Sequence, residues 1–363
     1  METSARLGIL AVAADRPNDK QVLNMVIDCI PFFNELDILK LRLEILNPLV
    51  DRFVIEEATR TFSGEPKELI FEKNKELFAP YLSKIDYVVV SDDVLMEDGV
   101  TVNPAADRYA PEIPGQELTH RRDYFQKNHL LDRLQDVTDR DVILFGDLDE
   151  IPNPRALQQI LADFDPDKVY HLAQRNFYVF LNMEEKPVRL HSITGEFPDV
   201  PEAQRKWLGT KVCSLRSIPA EGIVRLRDLV PVTDARSVRV EDGGWHFGYM
   251  GGFREANVLR RIGTKIRAAA HQEYNDAEII AETMDKLVLG QDIFGRSAHF
   301  EQVPVDDSYP AYLLAHQEEF QHLILPPVTG WKRFSCRLDL TAGRFCRKAL
   351  RRIRRTLCRE NAD

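Results

Sequence analysis

Two carboxylates stand two residues apart in Asp147-Leu148-Asp149-Glu150, directly after the apolar run Val142 to Phe145. In extended backbone, side chains alternate between faces, so Asp147 and Asp149 are expected to point the same way. Like charges held together at the edge of an apolar core repel, and a divalent cation is a common means of offsetting that repulsion. Oxygen ligands of this kind suit a hard ion such as Mn2+ or Mg2+, which keeps coordination positions open for phosphate oxygens. In transfer from a nucleotide sugar the diphosphate leaves with growing negative charge, and a cation at Asp149 stabilises that charge. Asp147 would then hold the ribose or a water on the metal. The bland reading is a turn of solvated acids ahead of a capped helix; the strand before it favours a site.

The elements that must position this segment can be read from periodicity. Val22 to Ile30, closed by Pro31, reads as a buried strand. Asn34 and Glu35 then cap a helix carrying Leu36, Leu39, Leu43 and Leu46. The alternation continues with a strand at 52–56, a helix at 69–82, a strand at 85–90, a long loop at 91–115, a helix at 117–134 and a strand at 142–145. Asn153 and Pro154 are a good N-cap and first-turn pair for a short helix to Ala162. Such alternation predicts an α/β fold, a mixed and mostly parallel sheet flanked by helices, with ligands beyond the carboxyl ends of its strands. From 168 to 240 the texture changes to antiparallel strands and long loops, and 253–289 reads as largely helical. The chain is thus expected to consist of an N-terminal extension (1–20), a catalytic domain (21–330, with halves at 21–165 and 166–330) and a tail (331–363).

The formal net charge is -10, but residues 332–363 hold 11 Lys+Arg against Asp339, Glu360 and Asp363, so the tail is +8 and the rest is -18. An acidic body argues against a nucleic-acid surface and is compatible with a cation that neutralises a diphosphate. In the tail Phe345, Ala349, Leu350, Ile353 and Leu357 recur among Arg and Lys, which predicts a basic amphipathic helix. Its basic face suits anionic lipid, and packing on the acidic body is the alternative. The five cysteines show no paired spacing, so a reducing compartment is expected. The apolar run Leu7 to Ala14 is too short for a membrane span, so neither anchor nor signal peptide is expected, and the location is read as cytoplasmic, at most peripheral at the inner membrane face.

The run Phe145-Gly-Asp-Leu-Asp-Glu-Ile-Pro152, with Thr61-Phe62-Ser63-Gly64-Glu65-Pro66-Lys67 before it and Gly244-Trp245-His246-Phe247 after it, resembles glycosyltransferase family 17 over roughly residues 22–300. The resemblance implies a GT-A fold, UDP-GlcNAc as donor, a divalent metal, inversion to a β linkage and a glycan acceptor: a glycoprotein, a polysaccharide or a lipid-linked glycan. It implies that Asp147 and Asp149 hold metal and nucleotide, and that Glu150 matches the family's following glutamate. The helix bearing His120-Arg121-Arg122-Asp123-Tyr124 resembles the family's Arg-containing helix, and Arg121 and Arg122 are candidates for the nucleotide or its phosphates, against a solvated helix face. Trp245 can pack on a sugar and His246 can complete a metal shell, unless both are core. The glycines at 243, 244, 248, 251 and 252 suggest close backbone approach to something. Arg175 on the strand after the acidic motif is a further donor or acceptor contact. For the base that takes the acceptor proton the candidates are Glu150, Glu196, Asp242 and Asp292, with Glu150 preferred for proximity. Two other readings remain: a haloacid-dehalogenase-type phosphatase, whose first Asp is a nucleophile, and a non-catalytic sugar- or nucleotide-binding protein.

Overall fold

The computed structural model describes residues 25–96, 103, 118–186, 191–192, 195–196, 207–229, 233–296 and 298–342. Strand β1 (Val26–Phe32) leads into helix α1 (Leu36–Leu46), followed by β2 (Arg52–Ala58), α2 (Ile70–Asn74), β3 (Ile85–Val90), α3 (Leu118–His129) and β4 (Val142–Phe145). Two expected boundaries move for identifiable reasons. Strand β1 runs through Pro31, because β4 pairs with it only as far as Cys29 and one side there carries no ladder. The helix expected at 69–82 is a short α2 and then a 3-10 turn, Lys75–Tyr81, kinked at Phe78 ahead of Pro80.

After the acidic segment come β5 (Glu150–Pro152), α4 (Pro154–Ala162), β6 (Val169–Tyr178), β7 (Met183–Glu185), β8 (His191–Ser192), β9 (Gly195–Glu196) and β10 (Trp207–Cys213). The chain continues with β11 (Ser237–Gly248), α5 (Val258–Ala268), α6 (Ala277–Val288), β12 (Phe300–Gln302) and α7 (Ala311–Ala315). A last helix, α8, occupies 330–342. Asn153 caps α4 by accepting the Arg155 N–H, as its sequence predicts. Glu35 sits at the N-cap of α1 without capping it, since its carboxylate is used elsewhere.

The main sheet has the order β12-β7-β6-β10-β4-β1-β2-β3, with β11 paired to β5 and β6. Strands β4, β1, β2 and β3 are parallel, whereas β10 is inserted antiparallel between β4 and β6. Helices cover both faces of the parallel part, so its strands are apolar on both sides. Ile30, Val142 and Leu144 pack with α1 in one core, while Ile27, Cys29, Ile143 and Phe145 pack with Tyr124 and Phe125 of α3 in another. A third core joins Val179, Phe180 and Met183 to α5, Leu287 and Phe300. Among the described residues no helix is long and apolar enough to cross a membrane.

Candidate active site

The acidic segment leaves β4 as a turn, in which the Glu150 N–H donates to the Asp147 carbonyl at 3.0 Å. The extended backbone expected from the sequence is therefore absent there, yet Asp147 and Asp149 still reach the same cleft because the turn projects both. The turn is clamped from behind by Arg42 of α1. Fully buried Arg42 forms a bidentate pair with Asp28 at 2.7 Å on each arm, and donates to the carbonyls of Asp147, Leu148 and Glu150 at 3.1, 3.1 and 2.8 Å. Gly146 is required by space, since a Cβ there would lie 2.7 Å from Glu150 Oε2 and 2.8 Å from Thr210 Oγ1.

Glu150 is sealed behind this turn. Its carboxylate accepts from the Asp147 N–H at 3.0 Å, Trp207 Nε1 at 3.0 Å and both terminal nitrogens of Arg227 at 3.1 Å. The side chain has no exposed surface, so the preference for Glu150 as base meets a carboxylate already fully engaged.

The two aspartates face different partners. Asp147 lies 3.1 Å from Lys127 of α3 and 3.1 Å from Arg227. Burial alone would raise its carboxyl, but Arg227 and Lys127 hold it well below the usual carboxylate range. Asp149 lies 3.6 Å from His246 Nε2. Burial raises the Asp149 carboxyl, with His246 and Lys265 acting in the opposite direction.

A polar chain fixes His246. Asn176 Nδ2 donates to Glu185 at 2.5 Å, which turns its Oδ1 toward His246 Nδ1 at 2.7 Å. An amide oxygen accepts, so Nδ1 donates to Asn176 and Nε2 is the ring nitrogen turned toward the Asp149 carboxylate. Trp207 stacks on the imidazole, ring centroids 4.3 Å apart. From α5, Lys265 enters the same cleft, pairs with Glu35 and is held protonated against its burial by Glu35 and Asp149. The cleft has a volume of about 640 Å³, and Phe33, Arg60, Phe62, Lys127 and Tyr249 are also on its walls.

Several other sequence candidates lie outside this lining. Arg122 is bound to Asp92 at 3.0 Å and packs over Gly64, so it braces the 61–67 loop, of which Thr61, Phe62 and Lys67 do reach the cleft. Its neighbour Arg121 is likewise not on the lining; His120, Asp123, Gln126 and Lys127 are. Arg175 pairs with Glu184 at 2.8 Å and donates to Ser308 Oγ at 2.6 Å, while Trp245 Nε1 donates to the Ser308 carbonyl at 3.0 Å. These two are register partners on β6 and β11, and strand alternation sends them to the face away from the cleft while Asn176 and His246 face the cleft. Asp242 is exposed at φ 49° in the bulge of β11. Buried Asp292 is taken by Arg296 at 2.7 Å. The side chain of Glu196 and the tail 343–363 fall outside the described residues. Of the five glycines only Gly248 lines the cleft; Gly243 and Gly244 approach the backbones of Leu172 and Ile151 instead.

Among the described residues no three His, Cys, Asp or Glu are gathered to hold a metal by themselves. A pair of side chains fits a cation: the Asp149 carboxylate and the His246 imidazole nitrogen that faces it. Such a pair leaves positions for water and phosphate oxygens.

A model described as glycosyltransferase family 17 matches residues 14–187. Over this segment, just under half of the chain, the protein is similar to glycosyltransferase family 17. The match contains Glu35, Arg42, Lys127, the acidic turn, Asn176 and Glu185; Trp207, Arg227, His246 and Lys265 lie beyond it. No curated protein matches the chain. The similarity supports a glycosyltransferase and implies a nucleotide-sugar donor and a glycan acceptor.

Proposed function

We propose that the cleft transfers a sugar from a nucleotide diphosphate donor to a glycan hydroxyl with inversion, using Mn2+ or Mg2+ bound by Asp149 and His246. The observation that carries this reading is Asp149 Oδ1 facing His246 Nε2 at 3.6 Å, with the imidazole oriented by Asn176 and Glu185. A carboxylate and a ring nitrogen so placed can share a divalent cation. When bound, the cation supplies Lewis-acid stabilisation of the departing diphosphate. Asp147, kept ionised by Lys127 and Arg227, is suited to hold the ribose, and Lys265 adds a fixed positive charge toward the phosphates. The phosphatase reading needs a free nucleophilic Asp147; its two cation partners and the similarity to glycosyltransferase family 17 favour transfer.

For the base, the site supports Glu185. It lines the cleft, unlike Glu150, and sits at the end of the His246–Asn176 chain. In the reaction the acceptor oxygen bonds to the anomeric carbon as that carbon's bond to the diphosphate oxygen breaks; the hydroxyl proton passes to Glu185 and the nucleotide diphosphate leaves. UDP-GlcNAc as donor and a GT-A arrangement rest on the family resemblance. The sparse cysteines and basic C-terminal segment support a cytoplasmic enzyme at the inner membrane face.

The test is UDP release from UDP-GlcNAc with an acceptor panel, with Mn2+ and with EDTA, and the anomeric configuration of the product by NMR. Metal-dependent release with a β product is expected. Equal release in EDTA would remove the metal, and an α product would remove inversion.

A further inference from the structure

The C-terminal helix α8 divides its residues between two sides. Thr329 starts the helix by accepting the Lys332 N–H on its Oγ1 at 3.2 Å and the Arg333 N–H on its carbonyl at 3.1 Å. Cys336 and Leu340 are 0% and 5% exposed, and Leu340 borders a small recess with Leu289 and Gln291, so this side packs on the end of α6. The other side carries Trp331, Phe334 and Leu338, which are 76%, 51% and 53% exposed. Spacings of three and four place them in one stripe along the helix. The rings of Trp331 and Phe334 already lie against each other, centroids 5.7 Å apart.

A stripe of this kind on a helix that is otherwise docked requires a cover. Its surroundings select the cover by charge. On α8 itself Lys332, Arg333 and Arg337 outnumber Asp339, and residues 343–363, which follow directly, contain eight Lys+Arg against two acids. A second copy of the same face would bring these like charges together, whereas an anionic bilayer offers both a low-polarity layer for Trp, Phe and Leu and neutralising headgroups for the cations. We infer that α8 is a membrane-docking element, whose Trp331, Phe334 and Leu338 insert into the headgroup boundary of an anionic lipid surface while Lys332, Arg333 and Arg337 bind the headgroups. The inference stands apart from the transferase reading, since docking needs no donor, metal or turnover.

The experiment is flotation of the full chain with vesicles of phosphatidylcholine alone and of phosphatidylcholine mixed with phosphatidylglycerol, alongside tryptophan emission and light scattering. Trp245 is buried and Trp207 lies in the cleft, so a vesicle-induced blue shift reports Trp331. The wild-type chain is expected to float with the anionic vesicles only, less so at high salt. A Trp331→Ser, Phe334→Ser, Leu338→Ser variant, whose changes are all on exposed positions and should leave the melting temperature unchanged, is expected to partition at least about tenfold more weakly. Trp331→Ser alone should lose the blue shift and part of the partitioning. Failure of the wild type to float, flotation of the triple variant equal to wild type, or a wild-type dimer that the triple variant converts to a monomer would each overturn the inference.

Discussion

The two sides of the acidic turn differ in what the protein has already supplied. Around Asp147 the counter-charges are built in, Lys127 and Arg227 each at 3.1 Å, with Arg227 also neutralising the buried Glu150 behind. Around Asp149 the nearest side chain is His246, its Nε2 at 3.6 Å, with Lys265 acting on the carboxylate from α5. One aspartate is a finished ion pair, and the other is the one proposed to hold the cation. Carboxylates two residues apart thus meet different surroundings, set by the side chains that face them.

Removing the Asp149 carboxylate breaks the comparison most completely. Asp149→Asn is expected to reduce metal-dependent transfer by about 10³-fold or more while melting close to wild type; retention of turnover would make the two aspartates interchangeable. On the other side, Arg227→Met leaves buried Glu150 uncompensated and should destabilise the fold by about 3 to 5 kcal/mol in denaturant titration. A smaller loss there would mean that Glu150 finds protonation or water instead.

Glu185→Gln keeps an acceptor oxygen for Asn176 and removes the proton acceptor. It should lower kcat by about 10²-fold with donor binding unchanged, and a loss of donor binding instead would make Glu185 a brace for His246. The smallest effect concerns His171, beside the cationic side. Burial, helped by Lys211, pushes its imidazole down from 6.5 to about 2. Because the folded value is the lower one, the contribution is complete above pH 6.5 and is lost as pH falls toward 2. Melting temperature between pH 6.5 and 4 should therefore fall less steeply in His171→Gln than in wild type.

Much of the parallel half was legible because its strands are short apolar runs between punctuation residues. The expected spans 85–90, 142–145 and 154–162 coincide with β3, β4 and α4. The acidic turn was legible as a pair, though for the wrong backbone reason, since a turn and not a strand aligns the carboxylates. What escaped reading was pairing across distant elements. Arg42 is one of four charged residues on α1, with Asp37, Lys40 and Glu44, and nothing local shows that it is the one that clamps a turn 105 residues away. Lys127, Arg227 and Lys265 come from three separate elements and converge only through the sheet order. On β6 and β11 the motif residues were found one position out of phase: Arg175 and Trp245 lie on the face away from the cleft, and Asn176 sits beside His246 on the cleft side. Face assignment on a strand buried on both sides has no polar alternation to guide it.

The central claim is that the cleft binds a nucleotide sugar through a cation at Asp149. Calorimetric titration of UDP-GlcNAc into the full chain, with Mn2+ and then with EDTA, tests it directly. Binding with Mn2+ that is abolished by EDTA and by Asp149→Asn is the predicted result, and donor binding of equal strength in EDTA would contradict it.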